Sequence, residues 1–559
     1  MEKSGMEQVL RVSVDGRRDA FPKGSTVRDA IQRLWPEKAE AALCALHGGV
    51  CLELGEGLTE DCDLRVLTYQ DEEGRRVYER SLRFLFLLSM KRLYPQKRVR
   101  ILNSVGYGVY LRVLGEDMDR AMIAALEREM RALAAQNLPF EKERWTREQA
   151  IAYFEQAGYA DKADILRYRP VDSIAMYRIG EMREYFYGAM VPSTGYLKVF
   201  ALKPHFPGLV LRFASPDAPD VPAPYLPRAK HLRVFGESQE WCRILGASNI
   251  ADVNRMIEKG GIREFIRVNE ALHDKSIAHI ADEIVQRGAQ IVLIFGPSSS
   301  GKTTFTHRLK VHLRVLGKKP QMISLDDFYR DRDSCPVGAD GKPDLECIDA
   351  LDVPCLSECF EQLLGAQLVQ MPRFDFTTGK RAPESYSLSM AGNGPLLVEG
   401  IHALNDKLTC EIPEQLMFGI YVSALPCLNL DNHNRIRTTD VRLLRRIVRD
   451  MKFRNTPPEQ TIDMWPSVRA GEEKWIFPNQ EKADVMFNTS LHYELPILKT
   501  VAYDVLERVK PEEPEYLVAR RLLKILNYVL PVEEKVMDEI PPLSILREFI
   551  GECTFYDRH

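Results

Sequence analysis

The sequence lacks the features that define several large classes of protein. Its 559 residues show no internal repeats and no low-complexity segment. The best candidate for an apolar run, FLFLLSM at residues 84–90, is far too short to span a bilayer. The N-terminal residues MEKSGMEQVL contain no apolar segment of the kind that a signal peptide needs. We therefore expect a cytoplasmic protein that makes no membrane contact.

Paired cysteines and an excess of positive charge are also missing. The eleven cysteines include no CxxC pair, so we expect them to be reduced and buried rather than to bind a metal. The net charge is −4, which gives no general positive field to attract nucleic acid. The basic run KRLYPQKRVR at residues 91–100 is interpreted as a solvated surface, with RNA contact as the less favoured alternative.

The patterns that are present change along the chain and predict a multidomain α/β protein. Residues 7–69 read as a small α+β unit, and residues 71–215 mix helices with short strands. The stretch SPDAPDVPAPYLP at 215–227 is rich in proline and is predicted to be a linker. From residue 290, apolar strands alternate with helices, which is typical of a parallel sheet. A helical tail broken by prolines follows residue 511.

The segment IVLIFGPSSSGKTTFTHRL at residues 291–309 contains a phosphate-binding motif. It fits GxxxxGK[ST], with an apolar strand before it and a helix after it. In this motif backbone N–H groups wrap phosphate oxygens, the lysine reaches the β- and γ-phosphates, and the hydroxyl binds Mg²⁺. The sequence therefore predicts ATP or GTP as phosphate donor, together with Mg²⁺. The predicted phosphate ligands are Gly296, Pro297, Ser298, Ser299, Ser300, Gly301, Lys302, Thr303 and Thr304.

Two carboxylates follow two later strands of the predicted sheet. Asp326 comes at the end of QMISLD, and Glu399 comes near the end of PLLVEG. Strand ends near a phosphate loop are where α/β sheets place ligand groups. A carboxylate there can accept a proton from an attacking hydroxyl or help to hold Mg²⁺. A single Asp is more often a turn or cap residue, but two acids after this motif favour a catalytic interpretation.

Arginines crowd the segment VRLLRRIVRDMKFRN at residues 441–455. Arg442, Arg446 and Arg449 have the i, i+4, i+7 spacing of one helix face. Like charges on one face repel each other, and a polyphosphate facing them would remove that cost. The alternative is a solvated basic face.

At this point the sequence resembles the uridine–cytidine kinase family. The segments GPSSSGKTT, SLDDFYR, VQMPRFDF, LLVEGI and RRIVRD occur in the family's order and spacing, within residues 288–510. The resemblance implies a P-loop kinase with a mobile, arginine-bearing lid. It also implies a role in pyrimidine salvage, with transfer of a γ-phosphate to a nucleoside 5′-hydroxyl.

The same resemblance implies a role for each matching residue. The general base would be Asp326, and Lys302, Arg446, Arg449 and Arg454 would act on the phosphates. Thr303, Glu399 and Asp326 would lie near Mg²⁺. Glu346 would grip the ribose hydroxyls, with Tyr329 and Phe374 also in the substrate pocket.

The match is poor where relatives of the family read the base. The family's tyrosine, histidine and glutamine fall at Phe374, Gly379 and near Met464, so three polar side chains are lost. We expect the base pocket to be either less selective than in the family or retuned to a different base, with Gly379 leaving space for a larger base.

The front half resembles parts of threonyl-tRNA synthetase. Residues 1–70 resemble a TGS domain, and residues 71–215 resemble the editing domain through DEEGRRVYERS, MKRLYP, QNLPFEKE and VPSTGYLKVFALK. The four editing-site positions hold Arg80, Phe84, Phe186 and Met190, which cannot replace the His and Cys ligands. We therefore expect no zinc and no tRNA editing, and a fold retained for binding, regulation or assembly.

Five regions are predicted: 1–70 and 71–215 as above, a linker with helices at 216–287, the kinase-like domain at 288–510 and a helical tail at 511–559. The favoured function is a nucleoside kinase that forms a homo-oligomer. One alternative is a kinase for another small hydroxyl compound, such as a sugar phosphate or a pantothenate-like acceptor. Another is an RNA- or ribosome-associated nucleotide switch that uses the TGS-like region.

Overall fold

The N-terminal part of the chain is a five-stranded sheet covered by a helix. The structure, a computed structural model, describes residues 9–338, 341, 343–375, 378–390, 392–410 and 412–555. The first elements are β1 (Val9–Val14), β2 (Arg17–Pro22), α1 (Val27–Leu34), α2 (Pro36–Ala39), β3 (Cys44–His47), β4 (Val50–Leu52) and β5 (Cys62–Leu67). The strand order is β2–β1–β5–β3–β4, and β1 runs parallel to β5. Thr26 starts α1 with a capping box to Asp29, as its sequence predicts.

Residues 72–222 form two antiparallel sheets with helices packed against them. The elements are α3 (Glu72–Leu93), β6 (Val99–Ser104), β7 (Gly108–Val113), α4 (Arg120–Ala135), β8 (Glu141–Thr146), α5 (Arg147–Gln156), α6 (Ala160–Arg167), β9 (Ser173–Ile179), β10 (Met182–Glu184), β11 (Phe200–His205), β12 (Gly208–Ser215) and β13 (Ala218–Pro222). The sheets have the orders β10–β9–β8 and β11–β12–β7–β6, and β13 pairs with β12.

The predicted linker is wrong for residues 218–222, which form β13. Both prolines of this strand, Pro219 and Pro222, lie at the edge of the sheet, where a missing N–H breaks no ladder. A proline-rich composition therefore concealed an edge strand.

Three helices lead into a parallel sheet of five strands. The helices are α7 (Ala229–Leu245), α8 (Ile250–Glu258) and α9 (Ile262–Arg287). The next elements are β14 (Ile291–Phe295), α10 (Lys302–Val315), β15 (Gln321–Ser324), α11 (Val353–Leu364), β16 (Leu368–Met371), β17 (Phe374–Asp375), β18 (Lys380–Arg381), β19 (Tyr386–Ser389), β20 (Leu396–Glu399), α12 (Asp406–Thr409), β21 (Met417–Ser423), α13 (Thr438–Arg454), α14 (Pro458–Gly471), β22 (Val485–Asn488) and α15 (Glu494–Glu507). The sheet order is β15–β20–β14–β21–β22, and each neighbouring pair is parallel. All of β14 is buried, as a continuous apolar run in a covered parallel sheet predicts.

The C-terminal residues fold back on this core. They contain α16 (Tyr516–Leu526), which packs on α15, and α17 (Arg547–Ile550), which packs on α13. The buried side chains of both helices belong to the same apolar cluster as the parallel sheet. No helix within the described residues has the length and apolar character needed to cross a membrane.

Buried ion pairs join the front half to the parallel-sheet half. Lys162 on α6 is fully buried, and its Nζ lies 2.7 Å from Glu184 Oε1 and 3.0 Å from Asp431 Oδ1. His433 Nδ1 lies 2.7 Å from Glu184 Oε2. Burial opposes the charge of Glu184, but Lys162 and His433 outweigh it and lower its pKa to about 2. The two halves therefore meet through charges that have no access to water.

Replacing Lys162 should destabilise the whole chain. Lys162→Met would leave the carboxylates of Glu184 and Asp431 buried without their cation, at a cost of about 3–5 kcal/mol in the free energy of unfolding. Urea denaturation measures this loss. The control is Lys482→Met, because Lys482 and its partner Asp406 are both largely exposed and should contribute about 0–1 kcal/mol.

The buried cluster of Lys162, Glu184, Asp431 and His433 also predicts how the stability of the protein changes at low pH. Because the folded-state pKa of Glu184 is lowered from 4.5 to about 2, its stabilising effect is complete above pH 4.5 and is lost as the pH falls towards 2.

An equal free energy of unfolding for Lys162→Met and the unaltered protein would show that the buried cluster does not hold the halves together.

Candidate active site

The loop between β14 and α10 is shaped by two glycines. A Cβ on Gly296 would lie 1.9 Å from the carbonyl oxygen of Val422, so no side chain fits there. Gly301 has φ +85°, in the left-handed region that favours glycine, immediately before α10 begins at Lys302. The hydroxyls of Ser299 and Ser300 are buried and have no hydrogen-bond partner among the described residues. The loop thus combines a close-packed backbone with unpaired donors beside a helix N-terminus, which fits phosphate binding.

Ser298 connects this loop to the arginine-bearing helix α13. Its carbonyl oxygen accepts two hydrogen bonds from Arg442, at 2.9 and 2.8 Å, and its hydroxyl accepts one from Arg446 Nη1 at 2.7 Å. Its N–H donates to Glu472 Oε1 at 3.2 Å. Glu472, fully buried, also pairs with Arg442. Arg442 therefore braces the loop instead of facing a ligand, and Glu472 is a structural residue that no motif had indicated.

Lys302 and Thr303 start α10 at the ends of the central strands. Lys302 Nζ donates to the carbonyl oxygens of Gly296 and Pro297, at 3.0 and 3.2 Å. Thr303 Oγ1 donates to Glu399 Oε1 at 3.4 Å, and Ser324 Oγ donates to the same oxygen at 2.8 Å. Burial raises the pKa of Glu399 to about 7, with a further contribution from Asp326. The hydroxyl and carboxylate predicted to bind Mg²⁺ thus lie side by side.

This donor set fits Mg²⁺ bound together with phosphate. Mg²⁺ takes hard oxygen ligands and usually keeps waters and substrate phosphates among them, so one hydroxyl and one or two carboxylates suffice from the protein. Within the described part of the chain no group of three or more His, Cys, Asp or Glu is arranged to hold a metal ion. The prediction that zinc is absent stays a prediction.

Asp326 lies in a 3₁₀ turn directly after β15. Its N–H donates to Ser324 Oγ at 3.4 Å, which ties the turn to the end of the strand. Burial raises the pKa of its carboxyl above the ordinary value of 3.8, while the charges of Lys302, Arg454 and Arg449 oppose that rise. The structure therefore brings Asp326 close to the loop and to two of the predicted arginines.

Glu346 is a second acid on this side of the loop. Burial raises its pKa to about 7, Glu472 adds to the rise, and Arg446 and Lys302 oppose it. Its Oε2 is buried and has no hydrogen-bond partner among the described residues. Its side chain packs against Gly471 so closely that a Cβ there would lie 2.3 Å from Glu346 Cβ. An unpaired, buried carboxylate oxygen is available to a hydroxyl donor.

The three predicted lid arginines share one partner, Asp450. Asp450 is 1% exposed and lies 3.3 Å from Arg446, 2.9 Å from Arg449 and 3.5 Å from Arg454. Arg446 is buried, Arg449 is 16% exposed and Arg454 is 46% exposed. Most of α13 from Asp440 to Asp450 is buried, so this helix is packed within the molecule and is not a protruding lid. Asp450 stands four residues from both Arg446 and Arg454, and that spacing was the signal that could have revealed it.

Tyr329 and Phe374, which are predicted to line the substrate pocket, lie beside the turn that holds Asp326. The rings of Tyr329 and Phe374 are 5.6 Å apart, and the Tyr329 hydroxyl donates to the carbonyl oxygen of Leu345 at 3.0 Å. Met464 lies on α14 and is half-buried.

The expected space beside Gly379 is absent. A Cβ on this residue would lie 2.5 Å from Arg332 Cδ, so the stem of Arg332 already fills that side. The expectation of room for a larger base at this position was wrong. Arg332 occupies the space, and it lies in a turn outside the sequence motifs.

The four positions of the lost editing site meet at the contact between α3 and the segment before β11. Arg80 Nη1 donates to the carbonyl oxygen of Ala189, and the ring centroids of Phe84 and Phe186 are 6.2 Å apart. Ser81 Oγ lies 3.8 Å from Met190 Sδ. Phe84, Phe186 and Met190 are buried in the core of this half. The positions have become part of the packing.

Comparisons with known proteins match the N-terminal part of the chain and the parallel-sheet part to different families. Residues 291–494 match the model of the phosphoribulokinase / uridine kinase family. A threonine–tRNA ligase from Carboxydothermus hydrogenoformans is 32% identical over 184 residues, which is 33% of this chain and 29% of the ligase. That from Cupriavidus necator is 33% identical over 190 residues, 34% of this chain and 30% of the ligase. The chain thus spans about three tenths of the length of these ligases.

Solved structures of kinases are similar to part of the chain. A possible uridine kinase from Bacillus stearothermophilus is 20% identical and covers 38% of this chain and 97% of its own, with a TM-score of 0.27. The D-glycerate 3-kinase from Cryptococcus neoformans is 15% identical and covers 47% of this chain and 89% of its own, with a TM-score of 0.23.

The predicted resemblances are confirmed for two separate parts of the chain, and the predicted fold class is confirmed. The chain has a mixed α/β fold with a parallel sheet, and the family match supports a P-loop kinase. Its N-terminal region is similar to threonine–tRNA ligases, and residues 291–494 match the phosphoribulokinase / uridine kinase family.

Proposed function

We propose that the protein transfers the γ-phosphate of ATP to the 5′-hydroxyl of a nucleoside. The observation that carries this proposal is the pair of acids beside the phosphate loop. Asp326 and Glu346 both have pKa values raised by burial, and the charge of Lys302 acts on both. Phosphoryl transfer to a hydroxyl needs a base at the attacking oxygen and a separate group to position the acceptor. The two acids can divide these tasks.

In the proposed reaction Asp326 accepts the proton of the 5′-hydroxyl as its oxygen bonds to the γ-phosphorus. The bond from that phosphorus to the β–γ bridging oxygen breaks, and ADP leaves. Lys302, Arg446, Arg449 and Arg454 stabilise the negative charge of the transferring group. Thr303 and Glu399, with Asp326 nearby, would hold a magnesium ion that neutralises charge on the β- and γ-phosphates. Glu346 Oε2 accepts a hydrogen bond from a ribose hydroxyl.

A kinase for another small hydroxyl compound is the second candidate. It is supported by the residues at the positions where the family reads the base: the side chains of Phe374 and Met464 offer no hydrogen bond, and Arg332 lies against Gly379. An arginine suits an acceptor that carries a negative charge better than it suits a neutral base. A screen for ADP release stimulated by nucleosides, by phosphorylated sugars or acids, or only by RNA distinguishes these functions from a nucleotide switch.

Lys302→Ala should abolish phosphoryl transfer and leave the fold intact. The substitution removes a point charge from the phosphates, and the loss in kcat should be at least about 10²-fold. The control is Arg314→Ala, an exposed change on the same helix that should leave kcat unaltered. Turnover within about tenfold of the unaltered enzyme would mean that this loop is not the active site.

Asp326→Asn should retain ATP binding and lose most of kcat. Asparagine keeps the shape of the side chain but cannot accept the proton, a loss of about 10²–10⁴-fold. Isothermal titration with ATP and steady-state kinetics separate the two quantities. A parallel loss of ATP affinity would instead assign Asp326 chiefly to the metal.

The enzyme should discriminate strongly at the ribose and weakly at the base. Loss of a hydrogen bond to buried Glu346 can cost about 10⁴-fold, whereas the apolar surfaces of Phe374 and Met464 discriminate by only about 10–200-fold. The measurement is kcat/KM for uridine, cytidine, adenosine, guanosine and inosine, with 2′-deoxyuridine as the sugar control. Glu346→Ala should reduce the preference for uridine over 2′-deoxyuridine. A strong preference for pyrimidines over every purine would show that other polar groups read the base.

A further inference from the structure

The C-terminal segment Pro541–Phe555 lies directly over the phosphate loop. A Cβ on Gly301 would lie 2.5 Å from Ile545 Cγ2, so the backbone of the loop and this side chain are in close contact. His307 on α10 stacks on Phe555 with ring centroids 5.0 Å apart. The segment therefore covers both the start and the second turn of the helix that follows the loop.

Glu548 places its carboxylate on the N-terminus of α10. Glu548 Oε2 accepts hydrogen bonds from the backbone N–H of Thr304 at 3.1 Å and from its hydroxyl at 2.8 Å. The first N–H groups of a helix have no partner within the helix and attract anions. Thr304 is also the last of the phosphate ligands predicted from the motif. One donor pair of the phosphate site is thus already bound to an anion that the chain itself supplies.

The segment is held in place by contacts that do not involve the loop. Ser544 Oγ donates to Glu270 Oε1 at 2.6 Å, and Tyr493 donates to the same oxygen at 2.5 Å. Arg547 Nη2 donates to the carbonyl oxygens of Met537 and Ile540, at 2.7 and 2.9 Å. These contacts fix the backbone near Glu548 independently of whether its carboxylate bonds to Thr304.

Burial separates the anchored residues from the one that can move. Ile545, Leu546 and Phe549 are fully buried, whereas the side chain of Glu548 is only half-buried. The carboxylate can therefore rotate towards solvent while the apolar side chains keep their packing.

We propose that Glu548 is an autoinhibitory group, which occupies part of the predicted phosphate site at the start of α10 and must leave Thr304 before a nucleotide binds. Two anions cannot share the same N–H and hydroxyl, so the carboxylate and the phosphate compete. The inference rests on the proposed function only in requiring that the loop bind a nucleoside triphosphate.

The test compares the binding of magnesium-ATP to four forms of the full chain. Glu548→Gln and Glu548→Ala should bind magnesium-ATP about tenfold more tightly than the unaltered protein, since they remove a charged competitor. Glu552→Gln is the matched control. It removes an equal charge four residues away, from a side chain that is 73% exposed and pairs with Arg547. Its affinity should not change.

Two further measurements identify the competitor as an anion mimic. Adenosine, which has no phosphate, should bind the unaltered protein and Glu548→Gln equally. In turnover assays Glu548→Gln should lower KM for ATP about tenfold and leave kcat unchanged, because the competition affects only the empty enzyme. A merely structural role for Glu548 would not lower KM for ATP while leaving kcat unchanged.

Each result decides the proposal. Unchanged or weaker ATP binding by both Glu548 variants, or a gain in adenosine affinity equal to the gain for ATP, would overturn it. If no nucleoside stimulates ADP release but ATP still binds more tightly to Glu548→Gln, the acceptor assignment fails and the autoinhibition stands. If a nucleoside is phosphorylated and the variants bind ATP like the unaltered protein, the autoinhibition fails and the acceptor assignment stands.

Discussion

The buried contact among Ser298, Arg442 and Glu472 is the interaction on which the active-site arrangement depends. The loop that precedes α10 is bonded through Ser298 to a guanidinium and a carboxylate, and both are almost fully removed from water. Loss of either charge would leave the other buried and unpaired, which is costly. This contact therefore fixes the distance between the phosphate loop and α13. It thereby determines how close Arg446 and Arg449 lie to the loop.

The front half contributes to the same arrangement at the N-terminal turn of α13. Arg76 on α3 lies 3.4 Å from Asp440, and Arg521 on α16 lies 3.3 Å from it. Burial raises the pKa of Asp440, but Arg76 and Arg521 outweigh that effect and lower it. The N-terminal turn of the arginine helix is thus held by a charge from the synthetase-like region. With its four editing positions absorbed into packing, that region contacts the parallel-sheet half through the N-terminal turn of α13.

The sequence predicted the parts of the site that are close together along the chain. Loop, helix and strand ends follow from a local motif and from the alternation of strands and helices, because the carboxyl ends of parallel strands meet at one edge. Asp450 also has a local signal, since it stands four residues from two of the arginines it binds. Glu472, Arg332 and Glu548 have none. Each of them lies far along the chain from the residues that it contacts. Sequence spacing cannot reveal such a contact, because only the tertiary fold brings the two residues together.

The same reasoning explains why the sequence did not reveal the carboxylates that surround the arginines of α13. A face of like charges suggested either solvent or a polyphosphate, yet Arg442 pairs with Glu472 and the others with Asp450. Asp450 contacts all three of these arginines, so their guanidinium groups lie close enough to repel one another. Burial lowers the pKa of Arg446, and neighbouring Arg449 lowers that of Arg454 to about 10, as expected for cations held close together. A triphosphate would relieve that repulsion, and Glu548 already accepts the hydrogen bonds of Thr304 in the first turn of α10. The chain itself therefore supplies an anion at the start of α10, whereas the repulsion among the arginines of α13 could still be relieved by a bound phosphate.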